Sequence, residues 1–383
     1  MKKAKYGVLL VTGMRTHQEN YGAAFAADER CRIVAVTDEP NVSKYRRFWN
    51  EQLAKELNVP YIADLGEALK RKDVDITSIC APPERRARVA VRCAEAGKHL
   101  YLDKSLAPSL EEAEAILQAV KKAGVKSHMF CFITQPWAQE AKRFVEEGRL
   151  GKLIALHADT FFAKGKTGTA KLGKRRQEEF PPKRHQLRQA KREFDNVGVY
   201  PVTLIHWLTG KRFQTVFGIT GNYFFQEHQK NDVEDFGLVN ATLEDNTNVT
   251  VAAGRYGWNT HPSFGVNRIL LVGTKQTLLI DAHRPRLEIY TDAPPWTPPK
   301  VHPDDPMGFW SSTQKASGVK PKWTWTRIDD AGKSDASYFV DCIETGKESE
   351  MSIVQAVHSA EVLVATYLSA HKGEVVRLPL PRG

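Results

Sequence analysis

The stretch Ile76–Leu106, ITSICAPPERRARVAVRCAEAGKHLYLDKSL, decides the fold. Ile76–Ala81 reads as a short buried strand. Glu84–Ala96 reads as a helix, with Val89, Val91, Cys93 and Ala94 among its apolar positions and Gly97 as its stop. His99–Leu102 is a second apolar strand. Strand, helix and strand in about thirty residues form a βαβ unit, and Lys104 falls just past the carboxyl end of its second strand. Ligands of open doubly wound sheets sit at that edge. The competing reading of Lys104 is a solvated surface lysine, since most lysines are exposed.

Outward from this unit, residues 1 to 130 alternate apolar strands with helical patterns and predict a parallel sheet of six strands: Tyr6–Val11, Arg32–Thr37, Tyr61–Ala63, Ile76–Ala81, His99–Leu102 and Lys126–Phe130. From residue 131 the period changes. Gln135-Pro136-Trp137 opens a new helix, and strands then follow one another through short turns such as Glu244-Asp245-Asn246, which predicts an open, mostly antiparallel sheet with antiparallel pairs and no crossovers. The fold class is therefore α/β plus α+β. A first domain of residues 1–130 precedes a second of residues 131–383, whose last helix, 350–371, is expected to pack back toward the first domain.

Composition narrows the context. The chain has 383 residues, too many for one ordinary core. Its five cysteines, Cys31, Cys80, Cys93, Cys131 and Cys342, lie far apart without a C-x-x-C pair, which predicts free thiols in a reducing compartment. The apolar run near the N-terminus is too short for a signal segment and reads as the first strand, so a cytoplasmic protein with no membrane partner is expected. Net charge is +10, and Lys164–Arg192 alone contributes +9, with eleven Lys or Arg against Glu178 and Glu179. Too few aromatics interleave with these charges for base stacking, so nucleic acid is disfavoured as a partner. A solvated or subunit-bridging loop and a collar for an anionic substrate remain as readings. Pro285–Pro321 holds eight of the twenty prolines and predicts a loop, not a core strand, with a cover over a sugar ring and a subunit contact as its two readings. The twelve histidines show no clustered ligand spacing, so no metal is expected.

The paired prolines, the helix ending Ala-Gly-Lys-His, the apolar strand and Asp103-Lys104-Ser105-Leu106 together resemble the nucleotide-domain signature of the Gfo/Idh/MocA oxidoreductases. Aspartate stands for the family's usual glutamate and Ser105 for its proline. Tyr338–Pro379 resembles the family's closing helix, glycine turn, long helix and final strand. The resemblance implies a Rossmann domain that binds NAD, a carbohydrate substrate, and assembly as a homodimer or homotetramer through the C-terminal sheet. It places Lys104 and Asp103 at the cofactor, and Cys80, Ala81 and Pro82 along the nicotinamide ribose.

Two departures stand out. After the first strand the chain reads Thr12-Gly13-Met14-Arg15-Thr16-His17, without the G-x-G-x-x-G fingerprint that lets a pyrophosphate approach the backbone. Arg15 is expected to pair with the pyrophosphate instead. Asp38, ending the second strand, is expected to accept the ribose hydroxyls and repel a 2′-phosphate, favouring NAD over NADP. The second departure lies in the stretch matching the family's catalytic helix, Asp195-Asn196-Val197-Gly198-Val199-Tyr200, where Asn196 occupies the aspartate position and Tyr200 the second. Asn cannot take a proton, so the carboxylate role is lost or moves to Asp195. At 100° per residue, Asn196 and Tyr200 share one helix face while Asp195 and His206 share another. Gln135, Trp137 and, in reserve, His206 are the expected substrate contacts. The implied chemistry is hydride transfer with Lys104 as base and Tyr200 as its partner. A redox-neutral NAD-dependent glycosidase or lyase and a non-catalytic sensor are the alternatives.

Overall fold

The computed structural model describes residues 5–162, 177–181, 190–255, 265–282, 286–292, 321–327 and 332–382. Most of the basic segment 164–192 and of the proline-rich segment 285–321 lies outside them, as do the readings of both.

The first sheet is wholly parallel, in the order β3-β2-β1-β4-β5-β6. Its strands are β1 (Tyr6–Val11), β2 (Cys31–Thr37), β3 (Tyr61–Ile62), β4 (Ile76–Ile79), β5 (His99–Leu102) and β6 (Ser127–Met129). Helices α1 (Gln18–Ala26), α2 (Lys44–Glu56), α3 (Leu65–Leu69), α4 (Pro83–Glu95) and α5 (Leu110–Ala123) connect them. Val8–Val11 is fully buried, as a central parallel strand covered on both faces must be. Local signals act as expected. Ser109 caps α5 by accepting from the Glu112 N–H at 3.2 Å, and Gly97 after α4 takes φ +72°.

Helix α6 (Pro136–Glu146) leads into a nine-stranded sheet of order β14-β13-β12-β11-β7-β10-β9-β8-β15. Its strands are β7 (Leu153–Phe162), β8 (Phe213–Gly221), β9 (Phe236–Leu243), β10 (Asn248–Arg255), β11 (Gly265–Gly273), β12 (Thr277–Asp281), β13 (Arg286–Asp292), β14 (Pro321–Arg327) and β15 (Val376–Arg377). The pairing is mostly antiparallel, with one correction: β10 runs parallel to β7, so the chain does cross over between them. A second correction is β14, which pairs with β13 and carries Trp323 and Trp325, residues the sequence reading leaves beside a loop.

Between β7 and β8 a π-turn at Phe194–Gly198 runs into α7 (Val199–Thr209), and α8 (Gln226–Lys230) follows β8. The Phe194 ring sits where β9 passes. A Cβ on Gly237 would lie 2.3 Å from Phe194 Cδ2, so this strand position needs glycine. Helix α9 (Asp335–Thr345) packs against α1, and the 20-residue α10 (Ile353–Lys372) packs on β8 on one side and α5 on the other. Helix α10 is the one described helix long and apolar enough to cross a membrane, and about two thirds of it is buried inside the fold. We propose a domain division at residues 130 and 131.

Candidate active site

Lys104 leaves β5 at the carboxyl edge of the first sheet and is 6% exposed. Its Nζ donates to the Asn196 backbone carbonyl at 2.5 Å and to Asn196 Oδ1 at 2.8 Å, and lies 4.7 Å from the centre of the Tyr200 ring. One lysine thus joins the first sheet to the π-turn of the second half. Burial pushes its amine down to about 8 against the pull of the Asp103 carboxylate, because an ammonium stripped of water is disfavoured.

Asn196, not Asp195, faces the lysine. Asp195 is buried on the adjacent face, where its carboxylate accepts from Ser105 Oγ at 2.5 Å and its N–H donates to Tyr367 Oη at 2.9 Å. Burial pushes the Asp195 carboxyl up. A carboxylate does stand behind Asn196: the Asn196 amide donates to Glu193 Oε2 at 3.0 Å, and Glu193 pairs with Arg255 at 3.1 Å. Burial would raise the Glu193 carboxyl, but His228, Arg255 and Asn196 outweigh it and hold it down at about 2. Sequence reading missed Glu193, although it precedes Asn196 by three residues and so lies on the same side of the turn.

Tyr200 is buried and stacks on Phe132, with centroids 4.5 Å apart and planes at 15°. Its hydroxyl has no hydrogen-bond partner among the described residues, which leaves it for a ligand. Trp137 packs against Phe132 inside the core at 5% exposure, behind the ring that stacks on Tyr200. Gln135 caps α6 and its side chain is half-buried, with no contact joining it to Lys104. His206 is not brought to the site. It points about a turn and a half along α7 into another pocket, with Nδ1 on the Lys211 carbonyl at 2.8 Å, Nε2 on Gln355 at 2.5 Å and the His358 ring 5.5 Å away.

The loop bearing Lys104 is braced from below. The Lys104–Ser105 peptide is cis. Arg86, 2% exposed, donates to the Ala81 carbonyl at 3.0 Å, to the Ser105 carbonyl and to Asp103 Oδ2 at 3.2 Å. Asp103 Oδ1 accepts from Tyr21 at 2.8 Å and meets His17 Nδ1 at 2.9 Å. Burial alone would raise the Asp103 carboxyl, but His17 and Arg86 hold it well below the usual carboxylate range. None of Arg86, His17 or Tyr21 is marked by spacing, since their shared partner Asp103 lies 17 to 86 residues away.

Beside this site a cleft of about 1130 Å³ runs along the ends of β1, β2 and β4, lined by Arg15, Arg46, Pro82, Arg85, Arg92 and Lys191 among others. That is at or above the upper end of the roughly 300–1,000 Å³ of small-molecule clefts. Several residues expected along the cofactor lie behind its wall. Cys80 and Ala81 are buried in the core, and burial pushes the Cys80 thiol up. Asp38 is wholly buried: Oδ1 accepts from Arg85 at 2.7 Å, Oδ2 from Asn50 at 3.0 Å, and Glu39 takes its place at the cleft. Arg85 from α4 and Arg46 from α2 both line this part of the cleft.

The loop of residues 12 to 17 takes left-handed backbone at two residues that carry side chains. Thr12 and Arg15 take φ of +74° and +62°, at roughly 1–2 kcal/mol each for a residue with a Cβ. Gly13 serves packing and not a phosphate, for its Cβ would fall 2.6 Å from Asn50 Cα and 2.8 Å from the Trp49 carbonyl. Met14 is tied by its carbonyl to Arg46, and the exposed Arg15 guanidinium stacks on Trp49 at 4.4 Å. A cationic cleft at the carboxyl edge of a parallel sheet fits an anionic dinucleotide.

Residues 8–130 match the oxidoreductase family with an NAD-binding Rossmann fold, and residues 138–279 match the GFO/IDH/MocA C-terminal domain. The chain belongs to the Gfo/Idh/MocA oxidoreductase family. It is 24% identical over 337 residues to scyllo-inositol 2-dehydrogenase (NAD(+)) of Bacillus subtilis, covering 87% of this chain and 86% of that one. It is 22% identical to a 2,7-anhydro-N-acetylneuraminate hydratase of Mediterraneibacter gnavus over 68% of this chain and 63% of that protein. A scyllo-inositol dehydrogenase structure from Lactobacillus casei superposes with TM-score 0.67 at 16% identity, over 97% of this chain and 99% of that one. The first domain is thus an NAD-binding Rossmann domain of an oxidoreductase.

Elsewhere His128, Cys131 and Asp335 bring ligand-type atoms within 4.8 Å of one another. The sequence hides this trio because Asp335 is some 200 residues away. Both nitrogens of His128 are already engaged, with Asp335 at 2.6 Å and Ser349 at 2.7 Å.

Proposed function

We propose that this protein interconverts a hydroxyl and a carbonyl on a sugar, cyclitol or sugar acid, using NAD, with Lys104 moving the hydroxyl proton. The observation that carries the reading is the buried Lys104 amine, aimed at Asn196 beside the cationic cleft. NAD, when bound, supplies the hydride acceptor. The chain's residues do the rest. Lys104 Nζ accepts the substrate proton, Asn196 holds the amine in place, and the free Tyr200 hydroxyl binds a neighbouring substrate oxygen. Glu193, working through Asn196, positions this pair. Pro82, Glu39, Arg15 and Lys191 line the cofactor side of the cleft.

A redox-neutral variant is the second reading, favoured by Asn196 in the carboxylate position and by the hydratase named among the relatives. Oxidation of a panel of cyclitols, neutral sugars and uronates, followed by NADH absorbance, tests the proposal. Stoichiometric NADH supports net oxidation, product without NADH supports the neutral cycle, and no turnover of any member defeats the reading. We place the protein in a reducing compartment, supported by five buried, unpaired cysteines. We infer a homo-oligomer formed through the open sheet, as the family resemblance implies.

A further inference from the structure

We propose that this chain holds the diphosphate of its dinucleotide by side-chain charge, with the His17 imidazole as the contact next to the reacting end. The inference rests on the functional reading above and deepens it. In a glycine-rich loop the amide N–H groups point at the phosphates. Here four consecutive donors are used inside the protein. Thr12 N–H donates to the Thr37 carbonyl at 2.9 Å, Gly13 N–H to Asn50 Oδ1 at 2.8 Å, Met14 N–H to the Trp49 carbonyl at 3.3 Å, and Arg15 N–H to Glu19 Oε1 at 2.5 Å. At the start of α1, Gln18 N–H goes to Thr16 Oγ1 at 3.0 Å. The loop is laced to β2 and α2, so an arriving anion meets side chains.

Of the cations around the cleft, Arg85 and Arg88 are already paired with Asp38 and Glu39, and Arg46 with the Met14 carbonyl and Asn50. Arg15 and His17 are the loop's own basic groups. His17 precedes α1 directly, and its side chain is 43% exposed. With Nδ1 on Asp103, Nε2 is its remaining polar atom. Asp103 stays ionised and adjoins Lys104, so the imidazole stands between the phosphate loop and the catalytic amine. An imidazole backed by a carboxylate takes up a proton readily when an anion binds opposite it, since each negative charge stabilises the imidazolium. Binding then consumes a proton, and affinity falls as pH rises.

The His17 side chain meets Asp103 and the Tyr21 ring, its backbone meets Cys80, and Arg86 and Lys104 lie beside Asp103. Lys104 is held at about 8, so measurements kept to roughly pH 5.5–7.2 stay below its titration. NADH and ADP-ribose binding to the full-length protein, measured by calorimetry across this window, tests the proposal. For the wild type the dissociation constant should rise with pH, by at most about tenfold per unit for one proton. His17→Gln should bind several-fold more weakly at low pH and lose the slope, and His17→Lys should bind tightly with no slope. Arg15→Gln should weaken both ligands while keeping the slope. An unchanged slope and affinity in His17→Gln, with its thermal midpoint intact, overturns this inference and leaves the functional reading standing. Failure of the wild type to bind NADH takes both down.

Discussion

An amine that must accept a proton near neutral pH has to lose part of its hydration, and Lys104 does so by burial against Asn196 and Tyr200. Replacing it with methionine should lower turnover by about 10² to 10⁴. The same change should raise the unfolding free energy at neutral pH by on the order of 1–3 kcal/mol, because a buried charge is removed. A variant that keeps activity, or melts lower, would contradict this assignment. The pH profile follows with its sign. The neutral amine is the base, so kcat/KM for oxidation should rise through about pH 8 and level off, while reduction, which needs the ammonium, should fall over the same range. Lys104 is held at about 8 in the folded protein against an ordinary 10.5. The unfolded chain therefore binds more protons between these values, and its contribution to stability should grow with pH across that window.

At the scale of elements, the loop after β1 and the helix α2 form one device. Gly13→Ala would drive a methyl into the α2 backbone, and we expect a loss of about 1–3 kcal/mol together with weaker NADH binding. Chemical denaturation with a parallel binding isotherm measures both. Asp38 acts within the same device by pairing with Arg85, which Glu39 also holds. Asp38→Asn keeps the shape but not the charge, which frees Arg85 toward the cleft. The NADP to NAD affinity ratio should then rise about tenfold, or ~1.4 kcal/mol, and an unchanged ratio would show that Arg85 does not reach the ribose.

Across the whole molecule, the two halves share one continuous apolar core and a buried polar joint. His128 of β6 meets Asp335 of α9 and Ser349, while Tyr101 donates to the same Asp335 oxygen at 3.1 Å. Asp335→Ala leaves His128 and Tyr101 without their acceptor and should cost about 3–5 kcal/mol. At temperatures where this variant stays folded, its kcat should match the wild type, since Asp335 lies outside the cleft. A selective fall in kcat with no loss of stability would place this joint in the chemistry instead.

What the linear chain determined by itself is what near neighbours decide. Apolar runs, Ser109, Gly97 and the Pro82-Pro83 pair set strands and helix ends, and from them came the parallel sheet, the place of Lys104 at its edge and the family resemblance. Helical phase also put Asn196 and Tyr200 together and His206 elsewhere. Tertiary structure alone decided what depends on distant partners: Arg85 on Asp38, Arg86 and His17 on Asp103, Arg255 on Glu193, Asp335 on His128, and the parallel pairing of β10 with β7. Strand and helix periods are carried by residues two to four apart. The charge and hydration of a side chain are set by whatever the completed fold packs against it.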